Sequence, residues 1–232
     1  MKSDPNDLLR LLSSFTGADL TRALGRIKAA VKGISADDCV AFLEKAGAGR
    51  NVLAAAAELK RLAGQINVTI HALGILLCLP HILEPTEKIE YVSLGAGNTG
   101  RNFDLETNFR VAEFKFIRWR GGAESIRQNS IFKDYVLLAG HQTPKRKYLY
   151  LLGTNHAVKF LRGGRALTSV LGRNDKLKAT FLKQFGDRYR TVGDYYSQHA
   201  DAVVLTDVSP WLSGLAEALV EEAMSTEPED PS

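Results

Sequence analysis

Residues 103–122 read FDLETNFRVAEFKFIRWRGG, and the alternation within this stretch decides the fold. An even-length connection fixes which side chains share a face of a hairpin. If Thr107–Arg110 form a four-residue turn and Glu106 pairs with Val111, then Asp104 sits opposite Glu113. Pleat alternation gathers Asn102, Asp104, Glu106, Glu113 and Lys115 on one face, with Phe103, Leu105, Ala112, Phe114 and Phe116 on the other. Charges beside an apolar sheet are costly unless something pairs with them. Two carboxylates facing each other repel and raise each other's pKa unless a cation lies between them, which makes this pair a poor choice for scaffolding alone. A hard divalent ion such as Mg²⁺ removes that penalty. Lys115 projects to the same side, where it is suited to orient or deprotonate a water, or to stabilise charge developing on phosphorus.

Working outward, the segments on either side read as an α/β chain. The first 50 residues have the spacing of short helices, with Asp4 as an N-cap before Pro5 and SADDCVAFLEKAG starting on Ser35. Asn51 to Leu79 predicts a long Ala- and Leu-rich core helix that Pro80 helps to stop, with Gly64 and Gly74 as its weak points. KIEYVSLG predicts a strand, the opening stretch two more, and GGAESIRQNSIFKDYVLLAG a helix. KRKYLYLLGT then predicts a strand, NHAVKFLRGG and NDKLKATFLKQFGDRYR helices, DAVVLTDV a late strand, and SPWLSGLAEALVEEA a helix with Ser209 at its N-cap and Pro210 at its first position. The expected organisation is a helical region over 1–50, an α/β domain over 51–224 and a disordered acidic tail over 225–232.

Asp104 followed by the triplet Glu113-Phe114-Lys115 on the next strand resembles the active site of the PD-(D/E)XK phosphodiesterases, the restriction-endonuclease-like superfamily. The resemblance covers roughly residues 51–152. It implies a small mixed central sheet flanked by helices in the order αβββαβ. It also implies Mg²⁺ or Mn²⁺ held by Asp104, Glu113 and the Phe114 carbonyl, with Lys115 serving the nucleophilic water. Many members carry a Gln on the helix after the Lys strand, and Gln128 occupies that place. Where some have a Tyr four residues further on, this chain has Phe132, with Tyr135 at seven. Position 103 is Phe where the family has Pro. The acid that some members contribute from the preceding helix has no clear counterpart, Glu58 lying early in that helix.

The distribution of charge agrees with such a role. Residues 101–190 hold 19 Lys and Arg against 7 Asp and Glu, a balance of +12, which leaves −8 elsewhere in a chain of net charge +4. A basic middle suits a polyanion, because neutralising phosphates releases counterions. Arg118, Arg120, Lys145, Arg146 and Lys147 are candidate nucleic-acid contacts, and Trp119 lies either beside a base or at the sheet edge. Glu106 is either an acid supporting the site or a salt-bridge partner for an arginine such as Arg110.

Other readings are weaker or excluded. Gly95 to Gly100 spell G-x-G-x-x-G after a strand, but no helix follows to meet a pyrophosphate, so a turn is expected and no nucleotide cofactor. His71 and His81 read as core or helix-end histidines, and His141, His156 and His199 are scattered, so zinc is not expected. Cys39 and Cys78 are too few for a disulfide framework, and no secretory leader opens the chain, which together suit a reducing cytoplasm. Ile66 to Leu83 is interrupted by polar residues and proline, so a core helix is expected and no membrane span. The expected function is a metal-dependent nuclease acting on DNA ahead of RNA, with a homodimer open. The alternatives are a catalytically degenerate nucleic-acid binder of the same fold and a nucleotide-binding protein using the glycine loop.

Overall fold

A computed structural model describes residues 4–17, 19–95, 103–117, 119, 124–172 and 174–216. Asn102, Arg118, Arg120, the glycine loop beyond Gly95, and residues 217–232 lie outside the described residues. The chain divides into two compact units, with the boundary at Val68.

The first unit is helical, as its caps predict. It comprises α1 (Pro5–Thr16), α2 (Leu20–Ala30), α3 (Ala36–Lys45) and the opening of α4 (Arg50–Ile82). Asp4 accepts from the Asn6 N–H, Asp19 from Arg22 and Ser35 from Asp38, each supplying an acceptor that the first helical turn lacks. Among the described residues only Leu8, Ala23, Val52 and Ala55 are buried in this unit.

The second unit is mixed α/β, built on a five-stranded open sheet in the order β1-β2-β3-β4-β5. β1 (Ile89–Val92), β2 (Leu105–Thr107) and β3 (Arg110–Lys115) form an antiparallel meander. After α5 (Ser125–Gly140), β4 (Arg146–Leu151) joins parallel to β3, and β5 (Val204–Asp207) lies parallel to β4. The hairpin register is the expected one, with Glu106 opposite Val111 and Leu105 opposite Ala112. The Thr107 hydroxyl fixes the turn by accepting from the N–H groups of Phe109 and Arg110.

The sheet separates two apolar clusters. Leu105, Ala112, Phe114, Phe116 and Tyr150 face Ile75, Cys78 and Ile82 of α4. Val111, Leu149 and Leu151 face the other layer, which comprises α5, α6 (Asn155–Leu161), α7 (Leu167–Leu171), α8 (Asp175–Phe185) and α9 (Val192–His199). Tyr195 is central there, ringed by Phe132, Phe181, Phe185, Tyr189 and His199 at centroid distances from 4.2 to 5.7 Å.

Three expectations are corrected, and two helices are additions to them. Phe103 packs with the second cluster and against His141; it lies ahead of β2, whose alternation holds only from Leu105. Ser209 and Pro210 open a 3-10 turn, and the following helix starts at Ser213. The sequence pattern does not announce the helices α7 and α9. Finally, α4 is less buried than a core helix. Its most apolar window of 18 residues has mean hydropathy 1.7, long and apolar enough to cross a membrane, and only 17% of that window is buried. The sheet covers a single stripe, Ile75, Cys78 and Ile82, while Leu73, Leu76 and Leu77 are exposed.

Candidate active site

The carboxylates and the amine of the hairpin meet at the end of β3. Asp104 precedes β2, where its N–H still donates to the Ala112 carbonyl at 3.0 Å. The Phe114 N–H donates to Asp104 Oδ2 at 2.9 Å. The backbone thereby orients this carboxylate. Its other oxygen, Oδ1, lies 3.3 Å from His71 Nε2 on α4. His71 also meets Phe116 edge to face, with ring centroids 5.9 Å apart.

Glu113 and Lys115 alternate with Phe114 and so project together toward α5. Lys115 Nζ is 2.7 Å from Glu113 Oε1 and 3.0 Å from Asp134 Oδ2. The side chains of Asp104 and Glu113 are each 14% exposed, Lys115 is 26% and Asp134 is 7%, so the group is sheltered yet reachable by solvent. Burial pushes the Glu113 carboxyl up to about 7; Lys115 opposes this, and the charges of Asp104 and Asp134 add to it. Asp134 is raised as well, chiefly by burial and against the pull of Lys115. Burial also works against the Lys115 charge, but Asp134 and Glu113 outweigh it and hold the ammonium above the ordinary lysine range. Two acids therefore share one lysine while the charge of Asp104 bears on both, leaving a deficit of positive charge.

The other expected site residues are placed as follows. Gln128 is buried on α5. Phe114 is buried, with its ring stacked on Tyr150 at 4.7 Å and on Phe116 at 5.7 Å. Tyr135 is a structural residue, its hydroxyl donating to the His199 carbonyl at 2.6 Å. Glu58 belongs to the first unit and accepts from Arg61 at 2.6 and 2.8 Å. Lys145 Nζ bridges Glu90 at 2.7 Å and Glu106 at 2.8 Å, which makes Glu106 the partner of a lysine where Arg110 was an option. Arg146 pairs with Glu84 at 3.2 Å, and Lys147 donates to the Ala139 carbonyl at 2.9 Å. Trp119 is buried against Phe160 and does not face outward.

Sequence reasoning misses Asp134 and the placement of His71. Asp134 gives no signal, because α5 is buried on most of its circumference and its apolar periodicity is blurred. His71 carries one faint mark, a polar ring within an apolar run. Among the described residues no three His, Cys, Asp or Glu side chains are grouped so that they could hold a metal ion. No family model matches the chain, and neither does any curated protein or solved structure.

Proposed function

We propose that this protein is a metal-dependent phosphodiesterase acting on nucleic acid, with a restriction-endonuclease-like core formed by α4, β1, β2, β3, α5 and β4. One observation carries the reading: Glu113 and Asp134 share the amine of Lys115, the charge of Asp104 bears on both of them, and burial with this deficit of positive charge raises the Glu113 carboxyl to about 7. Such a deficit suits a dication. Mg²⁺ or Mn²⁺ favours oxygen donors and retains several waters, so two carboxylates and a backbone carbonyl suffice as protein ligands. Asp104, Glu113 and the Phe114 carbonyl are those donors. When bound, the ion would act as a Lewis acid on the phosphoryl oxygens and lower the pKa of an attacking water.

The chain's own residues supply the rest. The amine of Lys115 stays protonated beside Asp134, which suits it to stabilise negative charge on phosphorus and not to act as a base. Asp134 is a positioning residue that keeps the ammonium at the site. His71 and the Phe114 N–H occupy different oxygens of Asp104 and so limit its rotation.

The test is cleavage of end-labelled DNA and RNA with Mg²⁺, Mn²⁺ or EDTA, beside Asp104→Asn and Lys115→Ala. Cleavage that needs the metal and both residues supports the reading; wild-type protein inert with every metal and substrate would overturn it. A second reading, a degenerate binder of the same fold, is favoured by the 2.7 Å pair in which Lys115 already engages Glu113. It predicts nucleic-acid binding that Asp104→Asn leaves intact, with no hydrolysis.

A further inference from the structure

Of the cations expected to meet phosphates, Lys145 and Arg146 are tied to carboxylates and Lys147 to a backbone carbonyl. The segment 159–190 is different. Its described residues include eight cations, Lys159, Arg162, Arg165, Lys176, Lys178, Lys183, Arg188 and Arg190, against two acids, Asp175 and Asp187. None of the eight makes an ion pair among the described residues, and all but the partly buried Arg165 are exposed. Leaving exposed charges of one sign unpaired is mildly unfavourable in the free protein, and it suits a surface completed by a polyanion.

The backbone brings these residues together. The Leu167 N–H donates to the Arg190 carbonyl at 3.0 Å, Val192 to Arg165 at 2.9 Å and Gly193 to Gly163 at 2.9 Å. This clasp sets the Arg162–Arg165 turn alongside Arg190. Gly193 is required for it, because a Cβ there would lie 3.0 Å from the carbonyl oxygens of Arg162 and Gly163. On the other side, Arg190 and Lys178, with Asp187, line one open cavity of about 570 Å³ whose apolar walls include Leu167, Leu171, Phe181 and Tyr189. Asp194, the nearest acid in sequence to Arg190 on its C-terminal side, accepts from the backbone N–H groups of Arg190 and Thr191 and feels the Arg190 charge without forming an ion pair with it. Arg190 and Lys178 thus line one cavity, and the clasp holds the backbone of the Arg162–Arg165 turn beside that of Arg190–Gly193.

We infer that the surface formed by the 162–165 turn, α8 and Arg190 is where the protein grips the phosphodiester backbone of its nucleic acid. The inference rests on the nucleic-acid reading above and deepens it by assigning the contact surface. Arg and Lys side chains at such positions contribute affinity without reading sequence, so binding through them is uniform across sequences and strongly salt-dependent.

The test is fluorescence anisotropy in EDTA with labelled duplex DNA, single-stranded DNA and RNA of mixed sequence, so that hydrolysis does not enter. The variant carries Arg162→Gln, Lys178→Gln, Lys183→Gln and Arg190→Gln. A control carries Lys28→Gln, Lys32→Gln, Lys45→Gln and Lys60→Gln, an equal charge change on exposed lysines of the first unit. Urea midpoints confirm that both fold. The expected result is a loss of about 100-fold or more at 0.1 M salt for the first variant, with a salt slope shallower by about 3 for four lost phosphate contacts. The control stays within a few-fold of wild type. Equal affinity of the two variants overturns the inference while leaving the hydrolytic reading untouched. Patch-dependent binding in a protein that never cleaves upholds the surface and overturns only the catalysis. Binding confined to phosphatidylserine vesicles, with none to any nucleic acid, overturns the surface.

Discussion

Two clusters of ionisable side chains sit on the same hairpin and are balanced in opposite ways. At the turn end, Arg110 is buried and donates to both oxygens of Glu87 and to the Tyr150 hydroxyl, while the Thr107 hydroxyl donates to Glu87. Burial works against the Glu87 charge, yet the bonds from Arg110 and Thr107 hold its carboxyl below the ordinary range. At the far end, burial raises Glu113 and Asp134, and the one lysine they share does not bring them back down. The direction of the shift separates a cluster whose charges are balanced from one in which burial outweighs the pairing.

The largest expected effect comes from breaking the complete cluster. Arg110→Ala leaves Glu87 charged and buried, and stability falls by about 3–5 kcal/mol in urea titrations. Arg110→Met with Glu87→Leu recovers most of that loss. If the single substitution costs under about 1 kcal/mol, the two clusters do not differ in the way described.

The incomplete cluster answers first in activity. On the proposed reading, Asp104→Asn lowers metal-dependent hydrolysis by about 100- to 1000-fold. On the same reading Mg²⁺ raises the Tm of wild type and Asp104→Asn removes most of that rise, which calorimetry reads without any substrate.

The pH dependence is smaller and has opposite signs at the two ends. A raised folded pKa at Glu113 means that its stabilising contribution is complete below about 4.5 and disappears as pH climbs through about 7 in metal-free protein. Glu113→Gln removes that decline, a gain on the order of 2 kcal/mol at pH 8. Glu87 behaves in reverse, its contribution being present above the ordinary carboxylate pKa and lost in acid. Parallel urea titrations at pH 4, 6 and 8 distinguish the two signs. A Glu113→Gln profile that tracks wild type across this range contradicts the charge deficit.

The smallest effect concerns the helix that carries His71. Gly74→Ala gains helix propensity but forces a methyl against Phe116, for a net loss of about 1 kcal/mol. Hydrolysis falls further than that stability change explains if His71 is displaced from Asp104.

The hairpin is legible in the sequence because one rule governs it. Period-two alternation and an even turn place Glu106 opposite Val111, and everything on β3 follows from that pairing. The rule stops where the ladder stops, which is why it assigns Phe103 to the wrong cluster. Helix caps at Asp4 and Ser35 are readable from local chemistry. The Thr191 and Asp194 capping box of α9 is equally local, but Gly193 in the same turn weakens the helical pattern and hides it. Asp134 and His71 reach the site through tertiary packing of α5 and α4, and no short-range pattern encodes which of their neighbours they meet. The partners of Lys145 and Arg146 are illegible for the same reason, since Glu90 and Glu84 lie 55 and 62 residues away in sequence.

At Gly74 a Cβ would sit 2.7 Å from the Phe116 ring, closer than atoms tolerate. The sequence presents this glycine as a flaw in a helix. In the folded molecule a missing methyl is a dimension: it sets how near the imidazole one turn earlier can come to its carboxylate. A residue with no chemistry of its own thereby tunes the reach of the residues that have it.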